Sequence, residues 1–286
     1  MNEEKKEFRL LKPKLDIVFQ SLFNQANERI TKNFVESLLN EKIKKIQINE
    51  TKELYRELPE DKLGILDLEL DINNKEKIDV EIQLVTPKNF ASRLLYYFAK
   101  LYASTVKIKQ DYVNAKRVVI VAIIDDKFEV TKEIKEMETK WKLMCREHPE
   151  LELTNKLEID IIELKKVKEN YLKNKKDVKS QWLLFLEDIE SKEVGEIVKE
   201  NEEIKEAVIK VHQMSKDEEL QRKADLREKY IMDQKAMYSS GKEDGMEIRA
   251  KTGNRKGAKG RKNKNSKKTV ETECSNRKNS RSNRVN

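Results

Sequence analysis

Between Leu63 and Leu84 the chain reads LGILDLELDINNKEKIDVEIQL, and no other stretch limits the fold as strongly. Ile78, Val80, Ile82 and Leu84 alternate with Asp79, Glu81 and Gln83, the two-residue period of a strand with one apolar and one polar face. Upstream, Leu66, Leu68, Leu70 and Ile72 alternate with Asp67, Glu69 and Asp71. Asn73 and Asn74 bring the chemistry of a tight turn. A hairpin symmetric about Asn74 sets Asp67 opposite Glu81 and Glu69 opposite Asp79, with Cβ atoms in each pair about 4.5–5.5 Å apart. Like charges at that spacing repel, so this face needs compensation. A hard cation such as Mg²⁺ or Mn²⁺, which takes carboxylate, water and phosphate oxygens, would supply it. A solvated face of an antiparallel sheet is the plainer alternative.

Other chemistries are short of parts. The only histidines, His148 and His212, lie beside no Cys, Ser or Asp cluster, so zinc ligation and histidine-activated nucleophiles are not expected. Cys145 and Cys274 show neither metal-ligand spacing nor a disulfide framework, in keeping with a reducing compartment. There is no run of 18 apolar residues and no signal-peptide start, so a cytoplasmic protein with no membrane partner is expected. The net charge of +8 is uneven: residues 249–286 hold 14 Lys/Arg and 2 Asp/Glu, leaving 47 basic and 51 acidic residues in the rest.

Along the chain, residues 1–10 read as a flexible N-terminus. Helical patterns begin near Asp16 and again from Ile30 to Leu39, with Asn40 placed to end the second, and Ile43 to Ile48 suggests a short strand. After the hairpin, Leu94, Leu95, Phe98, Leu101 and Tyr102 recur at helical spacing from Phe90 to Ile108. Tyr96 and Tyr97 flank that stripe as packing residues, while Arg93 in the early turns suits either a phosphate or a surface ion pair. The apolar run Arg117 to Asp125 reads as a buried central strand, so the strand–helix–strand order gives a mixed α/β sheet. Residues 127–156 read as a charged excursion anchored by Trp141, Leu143 and Met144, followed by a strand over Leu157 to Leu164 and a packed helix at Trp182 to Leu186. From Lys192 to about Tyr238 a thin apolar stripe in a Lys/Glu-rich helical region suits a protruding hairpin or an oligomerisation helix.

Taken in order, KPKLDIVFQSLF, SLLN, ILDLEL, IDVEIQL, SRLLYYFAKLY, DYVNAKRVVIVAIID, IIELKK and QWLLFLED resemble the PD-(D/E)XK nuclease superfamily, specifically its Rpn-type recombination-promoting nucleases, also described as PD-(D/E)XK family transposases, over roughly residues 11–240. The resemblance implies a restriction-endonuclease-like α/β core at 11–190 followed by a charged helical region at 191–248, while residues 249–286, with almost no apolar side chains, read as a disordered basic tail. It implies a Mg²⁺- or Mn²⁺-dependent DNA endonuclease; the apolar stripe of the helical region suits homo-oligomer formation. Asp67 then stands as the motif aspartate and Glu81 and Gln83 in the (D/E)XK element, the metal being held by Asp67, Glu81 and the Ile82 carbonyl. Asp16 or Glu36 can supply a further acid, and Arg93 and Lys100 can bind phosphate. Gln83 departs from the lysine of the pattern; glutamine is neutral and only donates and accepts hydrogen bonds. Lys88 or Lys100 can replace that charge, or the chain is an inactive relative that binds DNA or protein through its retained core. The basic tail reads as an arm on DNA phosphates or as a terminus read in a shifted frame.

Overall fold

The structure is a computed structural model that describes residues 8–49, 67–107 and 109–240. Residues 63–66 of the hairpin and the tail from residue 249 lie outside the described residues. The chain divides into two compact units, Met1–Ile231 and Met232–Asn286. Of the second, residues 232–240 are described and are helical.

The first unit is built on a six-stranded mixed sheet in the order β1-β2-β3-β4-β6-β5. Its strands are β1 (Ile46–Ile48), β2 (Leu68–Ile72), β3 (Glu76–Gln83), β4 (Arg117–Ile124), β5 (Glu138–Trp141) and β6 (Leu157–Glu163). Strands β1, β2 and β3 form an antiparallel meander, β3, β4 and β6 run parallel, and β5 is antiparallel to β6. The fold is therefore the restriction-endonuclease-like α/β arrangement.

The hairpin has the expected symmetry. Glu69 pairs with Asp79 and Leu68 with Val80. Asn73 and Asn74 both have positive φ, 51° and 57°, and the Lys75 N–H closes the turn on the Ile72 carbonyl at 3.0 Å. Asn73, Asn74 and Lys75 thus form a three-residue loop between the paired Ile72 and Glu76, and asparagine tolerates the left-handed region that its first two positions require.

One face of the sheet, carrying Ile78, Val80, Ile82, Val119, Val121 and Ile123, packs on the main core. That core takes in α1 (Asp16–Leu22), α2 (Glu28–Leu39), which ends at Asn40 with φ 54°, and, beyond α4 (Val167–Lys173), the helix α5 (Val178–Glu187). Phe19, Phe23, Phe34 and Trp182 meet there edge-on and stacked, and the Trp182 indole N–H donates to Asn33 at 2.8 Å. The other face, carrying Val118, Ile120, Ala122 and Ile124, is covered by Phe90, Leu94, Phe98 and Leu101 of α3 (Phe90–Ser104), the crossover from β3 to β4.

Two expectations are corrected. The excursion at 127–156 contains the edge strand β5 and, beyond it, an antiparallel bridge between Met144 and Glu152. Its expected anchors are exposed, Trp141 by 40%, Leu143 and Met144 by 45% each; Phe128 and Met137 are buried in their place. The thin stripe of the C-terminal region is used inside the unit: Val194 and Ile197 of α6 (Lys192–Ile197) and Ile204, Ala207 and Val211 of α7 (Glu202–Met214) are core residues. Near the start, Arg9 is tied at 2.8 Å to Asp225 and at 2.5 Å to Glu228. No helix among the described residues is long and apolar enough to cross a membrane.

Candidate active site

Asp79 and Glu81 of β3 lie on the sheet face that α3 covers, because Ile78, Val80 and Ile82 take the core side of the alternation. Asp67 immediately precedes β2, one step past the Leu68–Val80 pair, and so stands opposite Glu81. The backbone brings these acids close. The Gln83 carbonyl accepts from Asp125 N–H on the β4 side, and the Glu69 carbonyl accepts from Asn49 N–H. Glu69 and Asp79 therefore direct their backbone groups away from each other, the non-hydrogen-bonded pairing in which Cα atoms come to about 4.5 Å and side chains are nearest.

The face is not wet. Glu69 is 8% exposed, Asp79 0% and Glu81 5%. Glu69 is compensated by Lys77 at 2.6 Å and Asn49 at 2.8 Å, and Asp71 by Lys116 and Lys77. The other acids are not so served: both Asp79 carboxylate oxygens and Oε1 of Glu81 are buried without a hydrogen-bond partner. Burial and then Asp67 push the Glu81 carboxyl up to about 8, against the pull of Arg93 and of a backbone hydrogen bond from Asp67. Complete burial, then Glu81, Asp67 and Glu69, hold Asp79 well above the usual carboxylate range.

Two contacts aim Asp67. Its Oδ2 accepts from the Ile82 N–H at 2.9 Å and its Oδ1 from the Gln20 side-chain amide of α1 at 2.9 Å. A strand residue directs its N–H and C=O to the same side, so the Ile82 carbonyl shares the edge on which Asp67 sits. Two carboxylates and a carbonyl form a hard oxygen set that suits Mg²⁺ or Mn²⁺ with waters completing the shell. The bare buried Oε1 of Glu81 fits that assignment, since a cation would compensate it. Among the described residues, no three Asp, Glu, His or Cys side chains come together as a metal cluster, so such an ion would rely on the carbonyl, water and substrate oxygens.

From α3, Arg93 and Tyr97 face the acids at i, i+4 spacing, and Lys100 shares that face at i+7. An Nη2 proton of Arg93 goes to Oε1 of Gln83, while Nε2 of Gln83 donates to the Val85 carbonyl at 2.6 Å. The guanidinium carbon lies 5.3 Å from the Phe90 ring centre and 5.8 Å from that of Tyr97. Tyr97 is half-buried, and burial, then Glu81, raise its phenol pKa. It packs against the layer beneath α3, as its spacing suggests, and touches the Arg93 guanidinium as well.

The expected further acids are occupied elsewhere. Asp16 is paired with Arg227 at 2.5 Å. Glu36 holds Lys42 at 2.9 Å and the Ile43 N–H at 2.8 Å after the end of α2. What α1 sends to Asp67 is Gln20, one turn beyond Asp16. Its only sequence signal was that it shares a helix face with Asp16, and an amide among hydrophobic residues carries no chemical label.

No curated protein and no solved structure matches the chain. The family model for PD-(D/E)XK nuclease family transposases matches residues 13–241, a span holding the whole hairpin, α1 and α3, and the chain belongs to that family.

Proposed function

We propose that the protein is a metal-dependent DNA endonuclease that hydrolyses phosphodiester bonds in recombination or transposition. One observation carries the reading: the buried, unpartnered Oε1 of Glu81 across from Asp67, on a sheet face where Glu69 and Asp71 are met by lysines. Leaving such a group bare costs about 1–3 kcal/mol or more, a cost that a bound cation offsets. Asp67, Glu81 and the Ile82 carbonyl would hold Mg²⁺ or Mn²⁺, which when bound lowers the pKa of an attached water and stabilises charge on phosphate oxygens. Gln20 and the Ile82 N–H fix both oxygens of Asp67, so the ligand is pre-oriented. The α3 roof keeps water from Glu81, which strengthens every charge interaction beneath it. Arg93 and Lys100 are the phosphate-binding candidates on the facing side of that helix.

The test is incubation of the purified protein with supercoiled and linear DNA in Mg²⁺, Mn²⁺ or EDTA. Metal-dependent nicking or linearisation that Asp67→Ala abolishes is the expected result. Cleavage by Asp67→Ala at the wild-type rate would remove the site assignment.

The neutral Gln83 in the lysine position favours a second reading, an inactive member that binds DNA or protein through the core. Calorimetry with Mn²⁺ separates the two. Binding heat lost in Glu81→Ala supports the nuclease, whereas no heat at millimolar metal with DNA still retained on a gel supports the binding module.

A further inference from the structure

We infer that Arg93, anchored by Gln83, supplies the fixed positive charge at the phosphate that a lysine at position 83 would otherwise provide, with Gln83 as its positioning residue. The inference rests on the nuclease reading. It goes beyond that reading by giving Gln83 a task and by choosing one cation among Lys88, Arg93 and Lys100.

The Gln83 amide is fixed at both ends. Its Nε2 is committed to the Val85 carbonyl, which turns Oε1 toward α3, where Arg93 donates to it. An amide oxygen is neutral, so the bond orients the guanidinium without cancelling its charge. Other arginines of the fold are used differently: Arg117 meets Glu76 and Glu158 at 2.7 Å each, and Arg227 meets Asp16 at 2.5 Å. Arg93 forms no ion pair with a carboxylate among the described residues, and its Nε is buried without a partner. Phe90 and Tyr97 confine the plane of the group by cation–π contact.

Gln83 follows Glu81 by two residues on the same strand face, about 6.6 Å along β3, and the Arg93 charge is felt at Glu81. A planar fork with donors in reserve beside the carboxylates suits two oxygens of one phosphate. A lysine at position 83 would reach the same space from the strand; here the charge arrives from the helix. Lys88 is exposed in the turn before α3. Lys100 lies two turns further along that helix and has a partner.

The test uses the full-length protein in two assays: cleavage kinetics with Mg²⁺, and anisotropy titrations of a fluorescent duplex in EDTA over a series of salt concentrations. Arg93→Ala should lower kcat by roughly 10²–10³-fold, the scale for loss of one charge-stabilising donor. It should also reduce the salt slope of DNA binding by about 0.9, the value for one phosphate contact. Gln83→Glu keeps an acceptor for Arg93 but neutralises it, so a purely structural bond predicts full activity and the charge role predicts a loss comparable to Arg93→Ala. Gln83→Lys in the Arg93→Ala background should regain at least about tenfold of the lost rate, a partial return on the same scale. Thermal melts confirm folding, and if Arg93→Ala does not fold, the Gln83→Glu comparison decides. Unchanged kcat in Gln83→Glu, or no recovery in the double variant, overturns the inference. If the wild-type protein cleaves nothing in either metal, the nuclease reading fails separately and the salt slope decides: a drop keeps Arg93 as a phosphate contact, and no change removes it.

Discussion

The sheet carries acids on both faces, and two clusters of them are treated in opposite ways. On the core side of β6, Glu158 and Asp160 sit in a lattice of cations: Lys140 reaches Asp160 at 2.5 Å and Glu158 at 3.1 Å, and Arg117 reaches Glu158 at 2.7 Å. Beneath α3, both oxygens of Asp79 and Oε1 of Glu81 have no hydrogen-bond partner, and Glu81 feels the pull of Arg93. The carboxyl values follow. Burial raises Asp160, but Lys140 restrains it to about 6, whereas Glu81 goes to about 8. Leaving both oxygens of Asp79 and Oε1 of Glu81 without a partner, in a chain with 61 Lys and Arg, sets this cluster apart from the one on β6.

The comparison breaks most visibly in catalysis. Glu81→Gln should lower DNA cleavage by roughly 10³-fold or more, as expected for a group that acts only within the assembled site. Asp160→Asn should leave kcat within a few-fold of wild type. Equal losses in a plasmid assay would mean that both clusters serve structure alone, or both serve chemistry.

Next in size is metal affinity. Gln20→Ala should weaken Mn²⁺ binding by about 10–100-fold, the usual cost of removing a group that orients a ligand. Calorimetry reads this directly, and an unchanged affinity would leave the 2.9 Å contact to Asp67 without consequence.

Stability should show the reverse ranking. Lys140→Met strips Asp160 of its partner and should cost about 1–3 kcal/mol in urea unfolding, held to that range because Lys140 is itself 43% exposed. The acids under α3 should respond to pH instead. Glu81 binds its proton more tightly folded, at about 8, than at its ordinary 4.5. Its contribution to stability is therefore complete below the unfolded value and is lost as pH rises through about 8. Metal-free protein should melt at lower temperature at pH 9 than at pH 7, and Mn²⁺ should narrow the gap because metal and proton compete for the same carboxylates. The smallest effect is expected of Asp79→Asn. Asp79 is also held above its ordinary range, chiefly by burial, so the neutral amide should change the melting temperature little, and any gain should grow toward alkaline pH. A lower melting temperature for Asp79→Asn at pH 9 would show that Asp79 is charged and compensated there.

The hairpin and its register, which puts Asp67 opposite Glu81, were legible in the sequence because alternation and a turn with two asparagines act locally. The covering of the polar face was not: the stripe of α3 names a packed helix but does not say which face it packs on. Arg93, Tyr97 and Gln20 lie on helices separated in sequence from the acids, so their meeting is set by tertiary packing. Trp141 was misread for a related reason. Large apolar residues usually mark a core, but β5 is an edge strand, and the burial at this end of the sheet goes to Met137 and Phe128.

The turn at Asn73 and Asn74 governs more than the hairpin's shape. Asn73 is stitched to the approach of β1, its Oδ1 accepting from the N–H groups of Lys44 and Lys45 and its own N–H donating to the Lys45 carbonyl at 2.9 Å. The turn therefore acts as a counting device. Adding or removing one residue there would invert every side chain of one strand relative to the other, sending either Asp67 or Glu81 into the hydrophobic layer. For mutation in nature or in the laboratory, a single inserted codon well away from the carboxylates would silence the site as fully as deleting an acid. Substitutions that keep the count, such as Asn74→Gly, would pass unnoticed.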